Sequence, residues 1–297
     1  MMGGIDIYSE GIITKGIGGF YYVDTADGYF ECRARGSFRK DGITPLVGDR
    51  VRIVIDEVTG SGAVEEILPR KNVLLRPPVA NVTQMAVVLA TANPKPNLYL
   101  IDKLLASAEL LGIDIVICVN KTDIESGEEL CKIYEGAGFC VVPMCAKERD
   151  NIDLLNEKLR DNITVFAGNS GVGKSSILNC VTDSEAFETG EVSERVERGR
   201  HTTRHSELVR LKCGGYIIDT PGFGSFDFSL LNPDNCAELF REFEPYTDGC
   251  KFRDCSHTVE RGCSVLEALE NGKISESRHK NYVKLVEEVR TNQKSGR

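Results

Sequence analysis

In this chain of 297 residues, Asn120-Lys121-Thr122-Asp123 stands upstream of Gly168-Asn169-Ser170-Gly171-Val172-Gly173-Lys174-Ser175-Ser176. The second segment follows the apolar run 163–167 and precedes an apolar stretch of helical character at 177–181. It therefore reads as a strand–loop–helix turn whose glycines let backbone amides curl around an anion. Further apolar runs at 85–89, 113–119, 139–142 and 216–218 alternate with amphipathic stretches. That alternation predicts a mostly parallel sheet with helices on both faces and a ligand at the C-terminal ends of the strands. Residues 98–111 have helical spacing, with Asn97 as N-cap and Gly112 as stop. The reversed order of the two loop motifs requires a circularly permuted connectivity.

The side chains at these positions specify a nucleotide. Lys174 reaches β- and γ-phosphates, and the Ser175 hydroxyl is a magnesium ligand. The Asp123 carboxylate accepts two hydrogen bonds from guanine N1–H and its 2-amino group; adenine would leave it unpaired. The Lys121 stem can cover the base plane. Cys145-Ala146-Lys147 fits the accessory base-contact motif, with cysteine where many GTPases have serine. Asp219-Thr220-Pro221-Gly222 closes a strand as a second switch, with Asp219 near magnesium through water and the Gly222 amide on the γ-phosphate. His201-Thr202-Thr203-Arg204 supplies the first switch, either threonine being open to magnesium. Phe223 stands where Ras-like proteins place the glutamine that orients the attacking water, so unassisted hydrolysis is expected to be slow, roughly 10⁻⁴ to 10⁻² s⁻¹ or below. His201 is the candidate catalytic residue in its place.

Residues 1–69 read as a five-stranded β-barrel of the oligonucleotide-binding (OB) type, an SH3-like barrel fitting nearly as well. Asp27-Gly28 marks a hairpin, Val51 to Ile55 alternates, and Gly60-Ser61-Gly62 is a turn. Residues 70–230 read as the permuted GTPase domain, and 231–297 as a small helical domain in which 234–243, 265–271 and 276–290 look helical. There Cys250-x4-Cys255-x-His257-x5-Cys263 offers three thiolates and an imidazole, the donor set of one closed, structural Zn²⁺ site, with Cys236 the nearest rival ligand. The expected fold is multi-domain α/β. Eleven cysteines, an odd number, fit thiols and metal ligands better than a disulfide framework. No apolar run approaches the roughly 20 residues of a membrane span, and the start lacks a signal-peptide pattern, so a cytoplasmic protein without a membrane partner is expected. A net charge of −9 argues against a general nucleic-acid coat. Basic patches at 33–40, 195–204 and 273–297 instead suggest focused phosphate contacts.

Barrel, permuted motifs and Cys3His tail together resemble the bacterial ribosome small-subunit-dependent GTPase family over nearly the whole chain. Val47-Gly48-Asp49-Arg50-Val51, Leu74-Leu75-Arg76-Pro77-Pro78-Val79-Ala80-Asn81-Val82 and Gly199-Arg200-His201-Thr202-Thr203 look like its barrel, linker and first-switch segments. The resemblance implies a GTPase that is stimulated by the small ribosomal subunit and acts late in its maturation; a monomer that binds the subunit and its rRNA is expected. In similar translation-linked GTPases the second threonine of Thr-Thr-Arg ligates magnesium, which implies Thr203. Permuted GTPases of the large subunit typically carry Pro-Asn where this chain has Ser170-Gly171. A nucleotide-gated RNA-binding module with incidental hydrolysis is the reading from another class; a metabolic kinase is disfavoured by Asp123. Because the second switch leads into the C-terminal module, a nucleotide-driven lever to that module is expected.

Overall fold

The structure, a computed structural model, describes residues 6–36, 38, 42–56, 61–75, 78–183, 206–219, 231–233 and 235–295. In chain order the strands are β1 Asp6–Ile17, β2 Phe20–Thr25, β3 Gly28–Ala34, β4 Arg50–Asp56, β5 Gly62–Ile67, β6 Val73–Leu75, β7 Pro78–Ala80, β8 Gln84–Ala90, β9 Asp114–Asn120, β10 Cys140–Pro143, β11 Ile163–Ala167, β12 Glu207–Arg210 and β13 Tyr216–Asp219. The helices are α1 Leu98–Leu110, α2 Glu128–Gly136, α3 Ile152–Leu159, α4 Lys174–Thr182, α5 Glu244–Thr247, α6 Ser264–Glu270 and α7 Glu276–Ser295. Two compact units result: Met1–Thr83 with Leu159–Val165 and Glu194–Phe223, and Gln84–Lys158 with Phe166–Ser193 and Gly224–Arg297.

In the first unit β1 pairs with both β2 and β4, β2 with β3, β3 in parallel with β5, and β5 with β4. That order closes a five-stranded barrel of OB connectivity, removing the SH3-like alternative. Alternate residues point inward, and Ile13, Val23, Cys32, Val51, Ile53 and Val64 are fully buried there. Gly11 lies opposite both Thr25 and Val51. A Cβ at Gly11 would sit 2.4 Å from the Asp24 carbonyl oxygen, so a side chain there would split the strand that serves both neighbours.

The family-like segments 47–51 and 74–82 join barrel to linker. Buried Asp49 accepts from the Leu46 amide at 2.7 Å and from Arg70 Nε and Nη2 at 2.7 and 2.8 Å. The Asn81 side chain donates to Gly48 O at 3.0 Å, and β6 and β7 form a hairpin. Beyond it, β13 runs parallel to β11 and antiparallel to β12, and β12 lies on β1.

In the second unit β8, β9 and β10 are parallel, and every residue of β8 is buried. Asn97 caps α1 by accepting from the Leu100 amide, and Gly112 takes a φ of +61° just past its end. Of the helix expected over 234–243, the described residues 235–243 form two 3₁₀ turns instead, Cys236–Leu239 and Arg241–Phe243. Phe240, at ψ 89°, breaks the helical path. The break stacks Phe240 on Phe243 with centroids 5.5 Å apart and sets both rings edge-on to Tyr282.

These turns and α7 pack on α1. Arg278, 1% exposed, donates to Asp102 Oδ1 at 2.7 Å and in bidentate fashion to Glu242 at 2.7 and 2.9 Å. Burial opposes its charge, but the two carboxylates outweigh burial and raise its pKa further. Glu288 accepts from Lys103 and Tyr99, and Glu109 from Arg241. Among the described residues, no helix is long and apolar enough to cross a membrane.

Candidate functional site

The phosphate loop fits its surroundings only with glycine at two positions. Gly168, at φ +144°, would place a Cβ 2.2 Å from the Val88 carbonyl oxygen; Gly173, at φ +99°, would place one 2.2 Å from Asn120 Nδ2. α4 begins at Lys174 with no side-chain cap, which leaves its first amides to an anion. Lys174 Nζ donates to the carbonyls of Gly168 and Asn169 at 2.8 and 2.6 Å. Burial draws its pKa below the usual lysine range, so a phosphate oxygen would restore a full counter-charge. Ser175 and Ser176 follow, half-buried, in the first turn.

Asn120, 3% exposed, ends β9 and braces two loops at once. Its Nδ2 donates to Val172 O at 2.9 Å, and its Oδ1 accepts from the Ala146 amide at 3.0 Å. The guanine motif, the phosphate loop and the accessory loop therefore share one buried side chain. Lys121 takes a φ of +66°, and its carbonyl accepts from Thr91 Oγ1 at 2.7 Å while its Nζ donates to Asn93 O. The Thr122 amide donates to Met144 O at 3.3 Å. Asp123 is exposed, and its Oδ1 accepts from the Cys145 thiol at 3.3 Å. Burial pushes the Cys145 pKa up, with Asp123 adding to it, so the sulfur acts as a donor that orients the carboxylate. Cys180 Sγ donates to Ala146 O at 3.3 Å, and Lys147 is exposed beside it.

Cys250, Cys255, His257 and Cys263 bring four ligand atoms within 4.8 Å of one another. Bonds of about 2.3 Å to sulfur and about 2.1 Å to nitrogen in a tetrahedron imply edges of roughly 3.8 Å and roughly 3.6 Å. The separations are 3.8 Å for Cys250–Cys263, 3.6 Å for Cys250–His257 Nδ1 and 3.4 Å for His257 Nδ1–Cys263. The donor set fits a tetrahedral soft-metal site. Around it, His279 Nε2 meets the His257 carbonyl at 2.8 Å, and Tyr282 donates to Ser256 O at 2.7 Å. Burial alone would raise the pKa of Glu260; hydrogen bonds from Ser256 and from the Thr258 and Val259 amides hold it at about 2. Cys236, the rival ligand, lies in the apolar core and outside this cluster.

The profile described as RsgA GTPase matches residues 67–229, and that of the RsgA N-terminal domain residues 10–63. This chain belongs to the RsgA GTPase family. The small ribosomal subunit biogenesis GTPase RsgA of Ruminiclostridium cellulolyticum is 47% identical over 287 residues, 94% of this chain and 93% of that protein. The protein so named from Agathobacter rectalis is 47% identical over 302 residues, covering 96% and 99%. The crystal structure of YjeQ from Thermotoga maritima matches with a TM-score of 0.81 at 36% identity, covering 95% of this chain and 99% of that one. YloQ, described as a circularly permuted GTPase, matches with a TM-score of 0.81 at 32% identity over 96% of each chain.

This chain of the RsgA GTPase family is thus a permuted GTPase whose guanine motif, accessory loop and phosphate loop converge on Asn120. Asp219 ends β13, opposite Glu207 of β12. His201, Thr202, Thr203, Gly222 and Phe223 lie outside the described residues. Sequence reasoning missed Thr91 and Asn93, which steady Lys121, and Cys180, which steadies Ala146. Contacts to backbone carbonyls of this kind leave no residue pattern to find.

Proposed function

We propose that this RsgA-family GTPase binds the small ribosomal subunit and hydrolyses GTP late in subunit maturation, with hydrolysis stimulated by the subunit. The observation that carries the nucleotide half of this reading is the Asn120 brace, which ties a guanine motif to a phosphate loop. The ribosomal half is supported by the relatives' shared description as small ribosomal subunit biogenesis GTPases. In this reading Asp123 pairs with guanine, Lys121 covers the base, and Ala146 and Lys147 flank it. Backbone amides of 168–174 and Lys174 hold the phosphates. Magnesium would be held by Ser175 and Thr203, with Asp219 behind a water, and would neutralise charge developing between the β- and γ-phosphates. His201 orients the attacking water, since Phe223 offers no polar group for it. The Cys250–Cys255–His257–Cys263 cluster holds one zinc, closed to substrate and structural in role. The division at 69/70 and 230/231, a cytoplasmic location, a monomeric state and rRNA contacts from 33–40 and 273–297 complete the proposal.

The deciding experiment measures GTP turnover with isolated small subunits, with large subunits and with none. Stimulation by small subunits alone is expected. Equal rates in all three arms, or stimulation by large subunits, would overturn the ribosomal half.

A further inference from the structure

The hairpin β12–β13 is bracketed in sequence by the first-switch segment before it and the second-switch segment after it, and the barrel grips it at two rungs. At one rung Lys15 of β1 lies opposite Glu207 of β12, and Glu207 lies opposite Asp219 of β13. One row of backbone pairing therefore runs from the barrel to the aspartate of the second switch. A Lys15–Glu207 ion pair of 2.9 Å reinforces it. At the other rung Arg210 lies opposite Tyr216, and both side chains reach the same barrel residue. Arg210 Nη1 donates to both Asp24 carboxylate oxygens at 3.1 Å, and the Tyr216 hydroxyl donates to Asp24 Oδ2 at 2.7 Å. The Asp24 side chain is only 10% exposed while that of Arg210 is 66% exposed, so the Arg210 pair is a surface pair of small worth and the part-buried Tyr216–Asp24 bond carries the rung.

We propose that Asp24 is a positioning residue for GTP hydrolysis: from the barrel it fixes the rung Arg210–Tyr216, and so the register in which β13 presents Asp219. The barrel, on this account, is a frame against which the switch-bearing hairpin is held. Any ligand that shifts β1 or β2 is read by the hairpin directly. This is a different route from a lever into the C-terminal module. The inference rests on the GTPase reading above, but it does not require the ribosomal one.

The test uses the full-length protein with GTP and Mg²⁺, following single-turnover hydrolysis and, separately, GDP affinity. Asp24→Ala should lower the intrinsic rate between about 10- and 100-fold, the range expected when a reacting arrangement is displaced by an ångström or so. GDP affinity should stay within about twofold, because 120–123, 145–147 and 168–176 carry the binding groups and distant sites act independently. Asp24→Asn keeps an acceptor for Tyr216 and should fall between wild type and Asp24→Ala. Tyr216→Phe deletes one hydroxyl without emptying space, so it keeps the test decisive if Asp24→Ala does not fold; it too should slow turnover at unchanged GDP affinity. Wild-type rates in Asp24→Asn and Tyr216→Phe would overturn the proposal. So would rate and GDP affinity falling in parallel in Tyr216→Phe, the mark of general loosening. A wild-type protein that turns over GTP with no response to small subunits would sink the ribosomal reading, while the Asp24 comparison, made on the intrinsic rate, would still be decided.

Discussion

At the scale of single residues, Asn120 does more for the site than a base contact would require. It offers one donor and one acceptor, and each meets a different loop. Asn120→Asp keeps an acceptor for the Ala146 amide but turns a second lone pair toward Val172 O. Losing one buried bond and gaining a repulsion costs on the order of 2–3 kcal/mol, which is 30- to 150-fold in GDP affinity. Fluorescent-nucleotide titration should show that loss for guanine and xanthine nucleotides alike. Asp123→Asn, by contrast, should shift preference toward xanthine nucleotide, because it exchanges an acceptor for a donor facing the base. Lys174, Asp123 and the Cys3His quartet stand out in the sequence because the chemistry proposed for them demands particular side chains at short fixed spacings. The Asn120 brace does not, since its partners are a backbone carbonyl and a backbone amide, 52 and 26 residues away.

At the scale of elements, the barrel strands, β8, β9, β11 and α1 were legible, since alternation, buried runs and a cap with a glycine stop are local signals. β12 was not. Its four residues, Glu207 to Arg210, carry two charges, and it is a strand because β1 and β13 flank it. The 3₁₀ turns at 236–243 stand where the sequence predicts a helix for a related reason: Phe240 and Phe243 pack against Tyr282. The docking of α7 on α1 rests on the Asp102–Arg278–Glu242 set. Asp102→Ala strips a carboxylate from a guanidinium that stays buried, and should cost about 3–5 kcal/mol in chemical denaturation. Replacing all three by apolar residues of similar volume should be close to neutral. Glu288 adds a pH-dependent part. Hydrogen bonds from Lys103 and then Tyr99 hold its pKa below the usual carboxylate range. A folded-state pKa below the unfolded one means its contribution is complete above the ordinary value and fades as pH falls through the depressed one. The stability gap between wild type and Glu288→Gln should therefore narrow as pH is lowered from about 6 to about 3. A gap that widened would reverse the assignment.

At the scale of the molecule, the Cys3His cluster is part of one core rather than an appendage. Cys263 is buried in the cluster that contains Phe240, Phe243, Tyr282 and Ala106 of α1, with Cys250 and Cys255 packed against it. Zinc binding in small sites contributes about 10–16 kcal/mol to folding, comparable to a whole domain's margin of about 5–15 kcal/mol. Cys255→Ser should abolish zinc retention and expose the amides of α6 and α7 to hydrogen exchange. It should also loosen α1, whose partners Arg278 and Glu288 ride on α7. Protection in α1 unchanged after metal loss would mean that the helix stands without them. The same long-range pairing has a consequence for synthesis. Asp102 emerges from the ribosome 176 residues before Arg278, an interval of about 10–35 s at translation rates of about 5–20 residues per second. For that time the nascent chain has α1 with its Asp102 carboxylate unneutralised and the face that meets α7 uncovered, while its other face packs on β8 and β9. The barrel strands are all made early, whereas the core that covers the outer face of α1 is complete only as translation ends, so a messenger truncated before codon 278 is expected to yield a client for chaperones rather than a smaller GTPase.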